Sequence, residues 1–197
     1  CIRIKRLYVV ESVADDFISE LLKVLARLDV ERQVGPLIRE EARTKVHRKV
    51  RDAVQQGCEL LTGGDNMPGP GFFFEPTVLK VTDDDLEIIK EETFGPVLPV
   101  RIVRDEEEAI KLANDSDYGL GATVWTSDPV KGEAIARRLE AGNVWINECG
   151  RTINCGELFQ GWKCSGIASS SRRLSLFLKK RTIVNNRSCQ ARPHWFK

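Results

Sequence analysis

Residues 96–147, PVLPVRIVRDEEEAIKLANDSDYGLGATVWTSDPVKGEAIARRLEAGNVWIN, decide the fold. They read strand, helix, strand, helix, strand. PVLPVRIV is the first strand. Asp105 stands at an N-cap position and Glu108, three residues on, completes a capping pattern. The apolar side of that helix includes Ala109, Ile110 and Ala113. GATVWTS is the next strand. Asp128-Pro129 opens the second helix in the favoured order, cap and then proline in the first turn, and this helix is expected to stop at Gly142. NVWIN is the final core strand. Strands that alternate with helices imply βαβ crossovers and a mostly parallel sheet.

The same alternation continues upstream. RLYVVES is a short β-rich run. Ser12 is expected to cap the helix that follows, with Asp15 three residues on. Val13, Phe17, Leu21, Val24 and Leu28 repeat near 3.6 residues and give that helix one buried stripe. A second helix covers about 39 to 56, with Ala42, Val46, Val50 and Val54 four apart and Gly57 at the C-terminal cap. CELLTGG is a strand ending in a turn. Pro68 to Gly71 form an irregular loop before Phe72 to Leu79 extend again. The expected fold class is α/β, a mostly parallel sheet with flanking helices. Beyond Asn147 the chain is less periodic and richer in cysteine and serine, with LSLFL and RTIVNN as short elements, the latter an edge strand.

Composition narrows the function. The 197 residues suit one large domain, or one domain with a tail. Thirty basic and 29 acidic residues nearly cancel, so no net basic field points to nucleic acid or an anionic membrane. No apolar run approaches the ~20 residues of a membrane span, and no signal peptide is visible. The six cysteines (Cys1, Cys58, Cys149, Cys155, Cys164, Cys189) include no CxxC pair, and there are two histidines, so no metal site is expected. Reduced thiols in a cytoplasmic protein are the expectation.

Two features carry chemistry. In EETFGPV, residues 91–97, Gly95-Pro96 forms a rigid turn that presents Glu92 and Phe94 on one side if the segment is extended. A carboxylate can accept hydrogen bonds from a ribose diol, and a phenyl ring can support a flat heterocycle. The competing reading is a solvated Glu92 and a Phe94 that plugs the core. The segment precedes its strand, whereas ligands of parallel sheets gather beyond the C-terminal strand ends. Cys1, near Arg3, Lys5 and Arg6, is a candidate thiolate nucleophile; the competing reading is a small buried residue. No GxGxxG or Walker loop is present, so the chain carries no dinucleotide fingerprint of its own.

EETFGPVLPV, then EEAIKLANDSDYGLGATVWTSD, then ARRLEAGNVWIN, together resemble the C-terminal half of the NAD(P)-dependent aldehyde dehydrogenase superfamily. GPLI near 35, LLTGG near 61, FFFEPTVL near 72 and the tail ARPHWF fit in order. The resemblance implies the α/β catalytic domain of that superfamily over residues 1–148, and an aldehyde-entrance loop with a C-terminal oligomerisation arm over 149–197. It implies that Cys1 is the nucleophile, with the chain cut immediately before it. Glu92 then binds the nicotinamide ribose, Phe94 contacts the nicotinamide side, and the cofactor is NAD or NADP. Cys149 and Arg151 line the entrance to a small-molecule aldehyde. The implied chemistry is thiolate attack on the aldehyde, hydride transfer and thioester hydrolysis, with the base, the oxyanion amide and the dinucleotide fold upstream of Cys1. It also implies a homodimer or homotetramer, in which RTIVNN extends a neighbour's sheet.

The sequence departs from the family pattern at both ends. Arg3 replaces a small residue. Leu158 and Gln160 replace the proline and a glycine of Pro-Phe-Gly-Gly-x-Lys-x-Ser-Gly, and Ala168-Ser169-Ser170 replace Gly-Arg-Glu. Three readings therefore stand: a cysteine-bearing fragment that is inactive alone, a non-catalytic relative or truncated product acting as an oligomerisation or interaction module, and a reductive or acylating enzyme of the same superfamily.

Overall fold

The computed structural model describes residues 1, 3–148, 161–166, 179 and 181–185. It divides into two compact units, Ile4–Ala109, and Cys1–Arg3 with Ile110–Lys197.

In the first unit β1 (Leu7–Val10), β2 (Glu59–Thr62), β3 (Thr77–Val81) and β4 (Val97–Val103) form one sheet in the order β1-β4-β3-β2. β4 runs parallel to both neighbours, with Leu7 opposite Val100 and Thr77 opposite Val97. β2 closes the other edge antiparallel to β3. Both faces are buried, as the apolar β-branched runs require. Val78, Leu98, Val100 and Ile102 face helix α1 (Glu11–Leu25). Leu79, Val81 and Val97 face helices α2 (Glu40–Gln55) and α3 (Glu87–Lys90), packing with Val46, Val50, Ala53, Ile88 and Ile89. Each fully buried aliphatic side chain here contributes about 1.5–3 kcal/mol.

The phase of α1 differs from the sequence expectation. The helix starts at Glu11, directly after β1, and its N-cap Val10 makes no side-chain capping bond, so Ser12 is not the cap. With no loop between strand and helix, the junction sets the rotation. Ala14, Ile18, Leu21 and Leu25 then meet the sheet, while Val13, Phe17 and Val24 are exposed. Helix α2 agrees better. Its buried face is Val46, Lys49, Val50 and Ala53; Val54 is exposed. Gly57 caps it as expected: at φ +96° it turns the chain so that the Gly57 and Cys58 N–H groups donate to the carbonyls of Val54 and Ala53.

An ionic cluster ties α2 to α3. Arg48 donates to both carboxylate oxygens of Glu87 at 2.8 and 3.1 Å and to Asp52 at 2.6 Å. The hydrogen bond from Arg48 is the main reason the Glu87 carboxyl is pulled down to about 2, against an opposing push from burial and with help from Lys49. The Arg48 guanidinium is raised by the same Glu87 bond and then by Asp52.

Helix α4 (Glu106–Asn114) leads from the first unit to the second. Asp105 accepts from the Glu108 N–H at 2.9 Å, as the capping pattern implies, while Glu108 reaches back to the Arg104 N–H at 2.9 Å. In the second unit β5 (Tyr118–Gly119) pairs with β8 (Trp162–Lys163). β6 (Gly121–Val124), β7 (Asn143–Ile146) and β9 (Thr182–Asn185) form a parallel sheet in the order β6-β7-β9. Helix α5 (Pro129–Arg138) is capped by Asp128, which accepts from the N–H groups of Val130 and Lys131. It ends at Arg138 and does not run to Gly142. Leu139 turns extended and is buried with Ala141, and the Glu140 N–H donates to Asn114 at 2.8 Å. NVWIN supplies β7, the fully buried central strand of this sheet. RTIVNN supplies β9, which pairs with β7 and stands at the edge of this sheet as expected. Arg181, just before it, donates to the carbonyls of Arg137 and Leu139. No helix among the described residues is long and apolar enough to cross a membrane.

Two predictions follow from this packing. Ile18→Ala will destabilise the protein by about 1–2 kcal/mol in urea melts, whereas Val13→Ala will stay within about 0.5 kcal/mol; the reverse order would restore the stripe read from the sequence. Because the Glu87 carboxyl is lowered from 4.5 to about 2, its contribution is complete above pH 4.5 and is lost as pH falls toward 2. Solvent screening at this half-exposed pair keeps that contribution small. Arg48→Met will therefore lower stability at pH 6 more than at pH 2.5, measured by urea unfolding at both pH values.

Candidate active site

The lead-in to β4 is built as the EETFGPV sequence suggests. Glu91 is extended. After it Glu92 is exposed, Thr93 is buried and Phe94 is exposed. This alternation puts the carboxylate and the phenyl ring on one side. Phe94 is 68% exposed, so it does not plug the core. The Gly95-Pro96 turn is pinned on both sides. A Cβ on Gly95 would lie 2.7 Å from a methyl of Val46 on α2, and the Thr77 N–H donates to the Pro96 carbonyl at 2.8 Å.

Lys5 completes this edge. Its Nζ lies 2.9 Å from the Glu92 carboxylate and 4.9 Å from the Phe94 ring centroid, a salt bridge and a cation–π contact from one ammonium. Both contacts follow from topology. β1 and β4 are adjacent and parallel, so the segments entering them reach the sheet from the same end. The site thus sits at the N-terminal edge of the sheet.

Beneath the loop lies a residue the sequence reading missed. Lys49 on α2 is 2% exposed. Its Nζ donates to Glu91 at 3.0 Å, lies 3.2 Å from Glu87, and donates to the backbone carbonyl of Glu92 at 3.4 Å. The signal was a lysine between Val46 and Val50 on the apolar face of the helix, with the acid-rich EIIKEE downstream.

Cys1 is exposed, not a small buried residue. Cys58, by contrast, is a core residue whose thiol is pushed up by burial. Cys149 and Arg151 lie outside the described residues, as do Leu158, Gln160 and Ala168 to Ser170. Of the altered motif, Gly161 to Gly166 are described, and the residues it shares with the family pattern make structural contacts. Lys163 donates to the carbonyls of Asn114 and Ser116 at 2.6 and 2.8 Å and pairs with Glu140 at 2.7 Å, lowering that carboxyl. The Gly119 N–H donates to Ser165 Oγ at 2.9 Å. At the end of β7, Asn147 exchanges side-chain hydrogen bonds with the Thr126 backbone, and Glu148 is fully buried. Among the described residues no cluster of His, Cys, Asp or Glu could hold a metal ion.

Comparison with known proteins identifies the family. The sequence model of the aldehyde dehydrogenase family matches residues 1–182. The betaine aldehyde dehydrogenase of Bacillus subtilis (strain 168) is 42% identical over 153 residues, 73% of this chain and 31% of that protein. A succinate-semialdehyde dehydrogenase [NADP(+)] of Deinococcus radiodurans is 40% identical over 174 residues, 85% of this chain and 36% of its own. Among solved structures, the Mycobacterium tuberculosis aldehyde dehydrogenase complexed with NAD+ superposes with a TM-score of 0.79 at 35% identity, over 86% of this chain and 36% of that one. The NAD-dependent aldehyde dehydrogenase of Sinorhizobium meliloti gives 0.79 at 33% identity, over 86% and 35%. The chain thus spans about a third of the length of these relatives. With the family pattern matched from Cys1 through β8 and into β9, and the fold shared with its solved members, the chain belongs to the aldehyde dehydrogenase family.

Proposed function

We propose that this chain is the cysteine-bearing, C-terminal part of an aldehyde dehydrogenase that oxidises a small aldehyde to its acid with NAD or NADP. The observation that supports this best is the grouping of Lys5, Glu92 and Phe94 at one sheet edge. Lys5 is four residues from Cys1, and a chain of that length spans at most ~14 Å. The edge that carries the carboxylate and the ring is thus close in the chain to the cysteine proposed as nucleophile.

The donor set fits a nicotinamide nucleotide. Glu92 can accept hydrogen bonds from the two hydroxyls of a ribose, and the exposed Phe94 ring can lie against a flat heterocycle. When bound, the nicotinamide cofactor supplies the acceptor for the aldehyde hydride. The Cys1 thiolate attacks the aldehyde carbon, forming the C–S bond of a thiohemiacetal as the carbonyl electrons move to oxygen. With the hydride passed to a bound nicotinamide, Cys1 would hold the acyl group as a thioester. Water cleaves it, releasing the acid and the free thiol. In the family pattern the base that activates this water and the amide that holds the oxyanion precede the cysteine. Residues 1–148 carry the catalytic part, and 149–197 the entrance loop, with Cys149 and Arg151, and an oligomerisation arm. The full protein is a cytoplasmic homodimer or homotetramer, and the 197-residue chain alone does not turn over aldehydes. The competing reading is a non-catalytic interaction module.

The test is NAD(P)H formation by a protein in which this chain follows its complete upstream region. Activity is expected, with Cys1→Ser lowering kcat by at least ~1000-fold and Glu92→Gln raising KM for the cofactor about tenfold. No activity with a range of small aldehydes would favour the non-catalytic module. A thioester product in place of the free acid would favour an acylating enzyme.

A further inference from the structure

We propose that Lys49 is a positioning residue for the cofactor edge, holding the backbone of the Glu92–Phe94 segment through the Glu92 carbonyl. The inference rests on the proposed roles of Glu92 and Phe94. Lys49 carries a charge in the middle of the buried face of α2, between Val46 and Val50. Burying an ammonium is costly unless its donors are satisfied. Its three acceptors all belong to one short stretch, the Glu87 carboxylate, the Glu91 carboxylate and the Glu92 carbonyl.

The two carboxylates do not need Lys49 for solvation. Glu91 is largely exposed, and Glu87 is already held by Arg48. The Glu92 carbonyl contact is different, because it fixes the peptide from which Glu92 and Phe94 project. On the next residues Thr93 is buried and Gly95 lies against Val46. The same helical face thus supports the loop at two points, Lys49 at the Glu92 carbonyl and Val46 at Gly95. A ribose diol and a flat ring are bound well only if carboxylate and phenyl are held in register beforehand, so the anchoring acts on cofactor affinity.

Lys49→Met keeps the length and apolar stem of the side chain, leaving Glu91 largely in solvent and Glu87 paired with Arg48, so it removes the anchor with little loss of packing. In the 197-residue chain, the amides of Thr93, Phe94 and Gly95 will exchange with deuterium about tenfold faster in this variant, while those of Leu79 and Val100 will not change. Glu91→Gln, which leaves the carbonyl contact in place, will not show this acceleration. In the full enzyme Lys49→Met will raise KM for NAD(P) about tenfold, with kcat and KM for the aldehyde within about twofold. Uniform acceleration of exchange, an equal effect of Glu91→Gln, or an unchanged cofactor KM beside a raised one for Glu92→Gln would overturn the proposal. If Glu92→Gln also leaves the cofactor KM unchanged, it is the cofactor role of Glu92 that fails. A measurement on the unaltered chain stands apart from folding of the variant: NMR detection of a through-hydrogen-bond coupling from Lys49 Nζ to the Glu92 carbonyl supports the anchor, and coupling to carboxylates alone overturns it.

Discussion

Strand β4 is hydrogen-bonded in parallel to β1 on one side and to β3 on the other, and the candidate site depends on that pairing. Parallel neighbours start at the same end of a sheet. The residues that follow Cys1 and the residues of EETFGPV therefore arrive together, although some ninety positions separate them in the chain. Had β1 and β4 been antiparallel, Lys5 and Glu92 would lie at opposite ends of the strands. The arrangement also explains why the site breaks the usual preference of parallel sheets for their C-terminal edge. That preference concerns ligands held by the loops that follow strands. Here the candidate residues Lys5, Glu92 and Phe94 lie in two segments that precede them.

Helix α2 serves the core and the site with one face. Val46, Val50 and Ala53 close the apolar layer over β3 and β4, and Lys49 lies in the same stripe with its ammonium turned to the loop. An apolar residue at that position would fill the space equally well. Only a donor reaches the Glu92 carbonyl. The neighbouring Arg48 does the complementary task at the rim of the same helix, drawing α3 onto α2 through Glu87. Between them the two cations fix the segment from Glu87 to Glu92 at both its start and its end.

Much of this was legible in the sequence because it is local. The Asp128-Pro129 start, the Asp105–Glu108 cap and the Gly57 stop each depend on a few adjacent residues and on backbone geometry, and each is found where the sequence placed it. The paired exposure of Glu92 and Phe94 was legible for the same reason, since alternation in an extended segment is a local property. The rotation of α1 was not. Two apolar stripes overlap on that helix, one through Val13, Phe17 and Val24 and one through Ala14, Ile18 and Leu25, and the loopless junction with β1 selects the second. The end of α5 was misread because Leu139 and Ala141 continue a helical pattern while serving the core as extended chain. Lys49 was passed over because a lysine in a helix reads as a surface residue until its distant acceptors are known.

The central proposal is that Glu92 and Phe94, beside Lys5 at the N-terminal edge of the first sheet, form the face that receives a nicotinamide nucleotide. The most direct measurement is a crystal structure of the full enzyme with NAD or NADP bound. The account predicts the Glu92 carboxylate within hydrogen-bonding distance of the nicotinamide ribose hydroxyls, with the Phe94 ring against the nicotinamide side. A well-ordered cofactor whose nicotinamide ribose is held elsewhere, with Glu92 still paired to Lys5 and Phe94 facing solvent, would contradict it.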